Sequence, residues 1–169
     1  MCVIGDFAWD VLIRTNSELL RGGDTFGEVM LTPGGSAANV AVWASRAGMP
    51  TRFIGKIGRD RFGQLAQEDL EREHVDAHFV ETEAHLTGSV AVFVDHTGER
   101  SMVSGHGADF YLLPQELPRD IIRSSRHLHR HMLGQQCLRS NRSEHQCPPP
   151  RSNACRRADQ RHRHHRRRH

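Results

Sequence analysis

The chain has 169 residues and a formal net charge of +3 that conceals a split: residues 1–130 carry 13 Lys and Arg against 18 Asp and Glu, whereas residues 131–169 carry 10 against 2. With 54 apolar residues in 130, the front segment can bury the core of one domain of roughly 100 to 150 residues and leaves no material for a second. No apolar run approaches the ~18 residues that span a bilayer, Met1-Cys2-Val3-Ile4-Gly5-Asp6 lacks the basic start of a signal peptide, and Cys2 has no partner cysteine in the front segment, so a cytoplasmic protein without a membrane partner is expected.

In chain order, Cys2-Val3-Ile4-Gly5 is a short apolar run meeting an acidic turn, as a buried strand ending at a site would be. Residues 11–14 and 26–31 read as strands around the turn-rich Arg21-Gly22-Gly23-Asp24. Residues 36–47 read as a helix, since Ala37, Val40, Ala41, Ala44 and Ala47 recur at three- and four-residue spacings and Gly48-Met49-Pro50 supplies a stop. Residues 52–58 form the next strand, and Asp60 is placed to cap a helix reaching residue 73, with Phe62, Leu65, Ala66 and Leu70 on one side. This alternation implies an α/β fold. Residues 87–95 and 100–104 flank Asp95-His96-Thr97-Gly98 and read as a hairpin. Pro114 opens a short helix to residue 122, and His127-Leu128-His129 begins a further strand.

Gly34-Gly35-Ser36-Ala37-Ala38-Asn39 stands directly before the first helix. Two glycines let an unshielded backbone approach a ligand, and the first-turn N–H groups and the Asn39 amide are expected to point outward as donors. Such a site suits a polyhydroxylated or anionic small molecule.

The run from Gly34 to Ala41, followed after six residues by Gly48 and after nine more by Gly58, resembles the N-terminal signature of the ribokinase-like (PfkB) carbohydrate kinases. Val3-Ile4-Gly5-Asp6 with Asp10 five residues past the glycine, the segment Ile57-Gly58-Arg59-Asp60-Arg61-Phe62-Gly63, and Thr87-Gly88 leading to Gly98-Glu99-Arg100 are similar to the family in the same order. The resemblance covers residues 1 to about 128. It implies the N-terminal part of a ribokinase-like parallel-sheet sandwich with a small β lid, in which the γ-phosphoryl group of ATP passes to a sugar or nucleoside hydroxyl with Mg2+ assisting. Asp10, Gly35, Ser36 and Asn39 then fall at sugar-binding positions. An ionised carboxylate accepts from two vicinal hydroxyls, and a side-chain amide both donates and accepts. Ser36 stands where some members carry lysine, which leaves the sugar open. The resemblance also allows a homodimer through the lid.

Gly105-His106-Gly107-Ala108-Asp109 superficially resembles the family's second signature, a Gly-Ala-Gly-Asp type run in the C-terminal half that holds the anion hole and the catalytic base. It lies too early for that role and is read as a loop near the sugar. No catalytic residue is therefore assigned, and the nucleotide site and base are expected to be missing, so the chain is expected to be inactive alone.

Residues 129–169 are read as a disordered, Arg- and His-rich tail of out-of-frame origin. The segment from residue 131 has 8 apolar residues in 39 and no Val, Ile, Phe, Trp, Tyr, Thr or Lys, and ordering its backbone would cost on the order of 1 to 2 kcal/mol per residue. The alternative is a non-enzymatic nucleic-acid or metal-binding protein, in which the arginines neutralise phosphates and Cys137, His145, Cys147 and Cys155 hold zinc. Against it, the cysteine spacings fit no common zinc pattern and the tail has no aromatic residue to stack on bases.

Overall fold

The computed structural model describes residues 1–131. Strands β1 (Cys2–Ile4), β4 (Arg52–Gly58), β5 (Asp76–Thr82) and β8 (Leu128–Arg130) make one sheet in the order β5-β4-β1-β8, parallel throughout. Parallel neighbours need crossovers, and helices α1 (Ser36–Arg46) and α2 (Arg61–Arg72) lie on those leading into β4 and β5.

Strand β4 reads Arg52-Phe53-Ile54-Gly55-Lys56-Ile57-Gly58, an almost unbroken apolar and glycine run, as a strand covered on both faces should be. Phe53 and Ile57 join Val3 and the helix residues Ala37, Ala38, Ala41, Ala66 and Leu70 in one core cluster. The intervening residues point the opposite way. Cys2, Ile4 and Ile54 there meet Leu112, Leu117, Ile121 and Ile122, which come from the segment around helix α3 (Arg119–Arg123).

The second sheet is mixed. It comprises β2 (Ala8–Thr15), β3 (Gly27–Gly34), β6 (Gly88–Val94) and β7 (Arg100–Ser104) in the order β3-β2-β6-β7, with β2 and β6 parallel and both outer pairs antiparallel. Its outer strands leave Val29, Leu31, Met102 and Val103 exposed. The sheet joins the parallel core through Gly5-Asp6-Phe7, Gly34-Gly35 and Thr87. At the last of these, Asp60 caps α2 by accepting from the Gly63 N–H (2.8 Å) and also accepts from the Thr87 N–H and hydroxyl (2.8 Å each). Burial opposes ionisation of Asp60, but the Thr87, Gly63 and Phe62 amides and the Thr87 hydroxyl outweigh it and hold the carboxyl below its usual range.

Two elements depart from the sequence reading. Strand β5 has no counterpart in it, and the helix expected from Pro114 to residue 122 is two pieces. Pro114–Glu116 is a 3-10 turn, Leu117 is extended and α3 begins after Pro118. Proline at 118 drives the residue before it out of the helical region, so one continuous helix cannot form.

Candidate functional site

Helix α1 starts at Gly35, which has no side chain to cap it and a φ of 97° that favours glycine. The cap comes from Asp6 instead. Its carboxylate accepts from the Ser36 N–H (2.6 Å) and the Ala37 N–H (3.1 Å), its carbonyl accepts from the Ala38 N–H (3.2 Å), and His131 Nδ1 lies 3.0 Å from Oδ1. This corrects the expectation that the first-turn amides face a ligand: three of them are consumed inside the protein. Nothing in a hexapeptide window reveals this. The available signal is a helix start without Ser, Thr, Asp or Asn at its cap, which implies a donor of oxygen from elsewhere.

Asp10 follows Asp6 by four residues on β2 and is half-buried. Burial, with the Asp6 carboxylate adding to it, pushes its carboxyl above the ordinary range. The carboxylate lies where a side chain at position 34 would be, since a Cβ on Gly34 would sit 2.5 Å from Asp10 Oδ2. Asp10 is thus brought to the Gly34-Gly35 corner beside Ser36. Asn39 lies one turn into α1, its backbone N–H bonded to the Gly35 carbonyl (2.9 Å). Its side chain is exposed, lines a small groove with Pro33, Gly34 and Trp43, and makes no hydrogen bond to Asp10.

Ala8 pairs with Gly34 on β3 and with Gly88 on β6, so Gly34, Ala8 and Gly88 form one row across the sheet. Opposed residues share a face, as do alternate residues along a strand, which puts the row on the Asp10 face. Asp109 is the second residue of a 3-10 turn (Ala108–Tyr111) at the β6 end of the row. A Cβ on Gly88 would sit 2.6 Å from Asp109 Oδ1, and that oxygen is buried with no hydrogen-bond partner. Burial pushes the Asp109 carboxyl up to about 6 against the pull of its own and the Phe110 amides, with the Asp6 carboxylate adding to the rise.

The arrangement is a donor-poor, carboxylate-rich floor. Ionised carboxylates so placed can accept hydrogen bonds from hydroxyl groups and would repel phosphate. The described residues near α1 therefore do not fit the triphosphate of a nucleotide, and among the described residues no group of three or more His, Cys, Asp or Glu is arranged to hold a metal ion. No phosphoryl-transfer step is derived from them. Cys137, His145, Cys147 and Cys155, with the rest of the tail beyond residue 131, lie outside the described residues. No helix among the described residues is long and apolar enough to cross a membrane.

A parallel sheet flanked by helices, carrying a second mixed sheet beside a Gly-Gly helix start, defines the ribokinase-like α/β fold. The ribokinase of Giardia lamblia shares it with a TM-score of 0.72 at 20% identity, over 76% of this chain and 43% of that one. A model of the pfkB family carbohydrate kinases matches residues 1–141, and the chain belongs to that family. It is 35% identical over 119 residues to a fructokinase of Salmonella typhimurium and 30% identical over 115 residues to the ribokinase of Bacillus subtilis, which take in 69% and 68% of this chain. The chain spans 36% and 39% of those relatives. A sugar kinase of Pyrococcus horikoshii, 29% identical with a TM-score of 0.66, was solved in complex with ATP.

Proposed function

We propose that this chain carries the acceptor-sugar side of an ATP-dependent sugar kinase. Asp10 is the principal contact to a pair of sugar hydroxyls, Gly35 and Ser36 give the sugar close approach to the backbone, and Asn39 adds an amide at the rim. The observation that carries this reading is the Asp10 carboxylate set over the bare Cα of Gly34, half-buried and, among the described residues, without a hydrogen-bond donor. A carboxylate held there meets hydroxyl donors at short range. The names of the relatives make D-fructose and D-ribose the first sugars to try.

The activity assigned to this chain is binding of the acceptor, because the described residues of the site offer a triphosphate no matching donors. The mixed sheet serves as a lid on the sugar and, by its exposed outer strands, as a surface for a second copy of the chain. The test is a titration of the 169-residue chain with D-fructose and D-ribose followed by ligand-observed NMR. Binding that falls in Asp10→Asn supports the assignment. Equal binding in the variant and the parent would remove Asp10 from the site, and ATP-dependent formation of sugar phosphate by the chain alone would refute the restriction to binding.

A further inference from the structure

The row Gly34–Ala8–Gly88 is a floor with almost no side chains, and a carboxylate stands at each end of it. Asp10 covers Gly34 and Asp109 covers Gly88. Two strand spacings of ~4.8 Å separate the row's ends, or about 10 Å. Gly107 packs against Gly88 at one end, where a Cβ on Gly107 would strike the Gly88 Cα, and the width between the two carboxylates matches one sugar ring laid across the strands. A side chain at either glycine would strike the carboxylate beside it, so both ends are kept bare in the same way.

Resting on the acceptor-sugar reading, we infer that Asp109 is a second substrate-contacting carboxylate, which takes a hydroxyl at the end of the sugar remote from Asp10 and selects sugars that carry one there. The local structure gives Asp109 Oδ1 nothing to do: it is buried, it has no hydrogen-bond partner, and it faces the glycine Cα of Gly88 instead of a donor. Leaving a buried acceptor unpaired is costly, and a ligand hydroxyl brought over the floor supplies the missing donor through a small rotation of the carboxyl group. The position of the group is firm. Lys56 Nζ donates to the Tyr111 carbonyl (3.1 Å) and to Glu116 Oε1 (2.6 Å), which ties the segment carrying Asp109 to the centre of β4. Asp10 thereby binds the hydroxyls near α1, and Asp109 reads what lies opposite.

The experiment compares the full chain with Asp10→Asn and Asp109→Asn against D-fructose, D-ribose and their single-deoxy analogues, using ligand-observed NMR titration. Asp109→Asn should weaken the parent sugar by about tenfold or more, as loss of a charged hydrogen bond does, and should bind one deoxy analogue as well as the unaltered chain does. A merely structural role would not single out one hydroxyl. If Asp109→Asn binds every sugar like the unaltered chain while Asp10→Asn does not, the inference fails and the acceptor reading stands. If the unaltered chain binds none of these sugars, the acceptor reading fails and this inference with it. Emission of the buried Trp9 reports whether each variant folds. Should Asp109→Asn not fold, Asp109→Glu takes its place with the same coupling to one hydroxyl expected, and uniform affinities across the analogues would overturn the inference.

Discussion

Asp6 and Ser36 meet at 2.6 Å, a side-chain oxygen taking the first free amide of α1 across thirty residues of sequence. The same carboxylate holds the Ala37 amide, so one acid at the first crossing between the sheets fixes the helix that carries Ser36 and Asn39. Asp6→Ala should lose a cap worth ~1–2 kcal/mol. It also orphans two amides, one of them buried. Asp6→Asn keeps one acceptor and should lose less. Urea midpoints of the three proteins give the order, and equal midpoints would show that the cap contributes nothing.

Gly35 and Gly48 both hold positive φ, 97° and 82°, but in different surroundings. A Cβ on Gly48 meets open space, so Gly48→Ala bears only the cost of left-handed backbone, ~1–2 kcal/mol. A Cβ on Gly35 would lie 2.7 Å from the Asp6 carbonyl and 2.9 Å from the Phe7 Cα, both backbone atoms that cannot swing aside. Gly35→Ala should therefore unfold at clearly lower urea than Gly48→Ala. Equal losses would mean that the corner yields and the glycine is needed for φ alone.

The sequence made the alternation of strands and helices legible wherever periodicity and punctuation agreed. Residues 52–58, read as a strand, are β4, and Asp60 caps α2. Strand β5 escaped because it is an edge, and Asp76, His78 and Glu81 interrupt the apolar signal that a central strand would keep. Residues 105–109 read as a loop near the sugar, but the particular roles of Asp6, Asp109 and the glycine row escaped for another reason. Their meaning lies in register, since Gly34, Ala8 and Gly88 become neighbours only once β3, β2 and β6 pair. The motif placed Asp10, Gly35, Ser36 and Asn39 on a list of candidates, but it contained nothing to say that the helix amides were already occupied.

Lys56 is the one lysine in the chain and sits in the middle of β4, its side chain 9% exposed against 26% for Glu116. Removing one member of a buried pair strands the other charge, at a cost of roughly 3 to 5 kcal/mol. Glu116 is a quarter exposed and keeps the Leu113 amide, so Lys56→Met should lose less than that, and Lys56→Met with Glu116→Gln should recover part of the loss. Burial pushes the Glu116 carboxyl up, but Lys56 and the Leu113 amide overcome it and leave the group below its usual value. A depressed carboxyl contributes stability above its unfolded pKa of about 4.3 and loses it as pH falls through the lower folded value. The difference between the parent chain and Glu116→Gln should thus be present at pH 6 and shrink on acidification below about 4. A difference that grew on acidification would reverse the assignment.

On the face of the mixed sheet opposite Asp10, Leu31, Val11, Ala91 and Val103 stand in one row across the four strands. Leu31 and Val103 at its ends are exposed. An isologous contact between two copies would cover both ends at once. Val103→Lys should shift sedimentation toward the monomer and raise solubility, because a charge on this face opposes pairing. Unchanged sedimentation of a self-associating parent would place its contact elsewhere.

Asp109 sets the pH dependence that distinguishes this site from an ordinary surface acid. Burial pushes its carboxyl up to about 6 in the folded protein, above the ordinary 3.8 of an aspartate. The folded state thus holds a proton that the unfolded chain has already released, and stability must fall as pH rises from about 4 to about 6. Above the upper value the charge is largely buried with one oxygen unpaired, and the Asp109 and Phe110 amides offset only part of the cost. Asp109→Asn removes a charge of that kind without changing the shape of the side chain. Relative to the parent, the variant should be more stable at pH 7.5, and the gain should vanish near pH 4, where the parent is also neutral. If Asp109 contacts the sugar as inferred above, the variant should at the same pH 7.5 also bind the parent sugar less well, the stabilising change being the one that costs binding. Urea midpoints of both proteins at the two pH values provide the check. A variant less stable than the parent at pH 7.5 would show that the ionised carboxylate is satisfied where it lies, and that its unpaired oxygen is no reserve for a ligand.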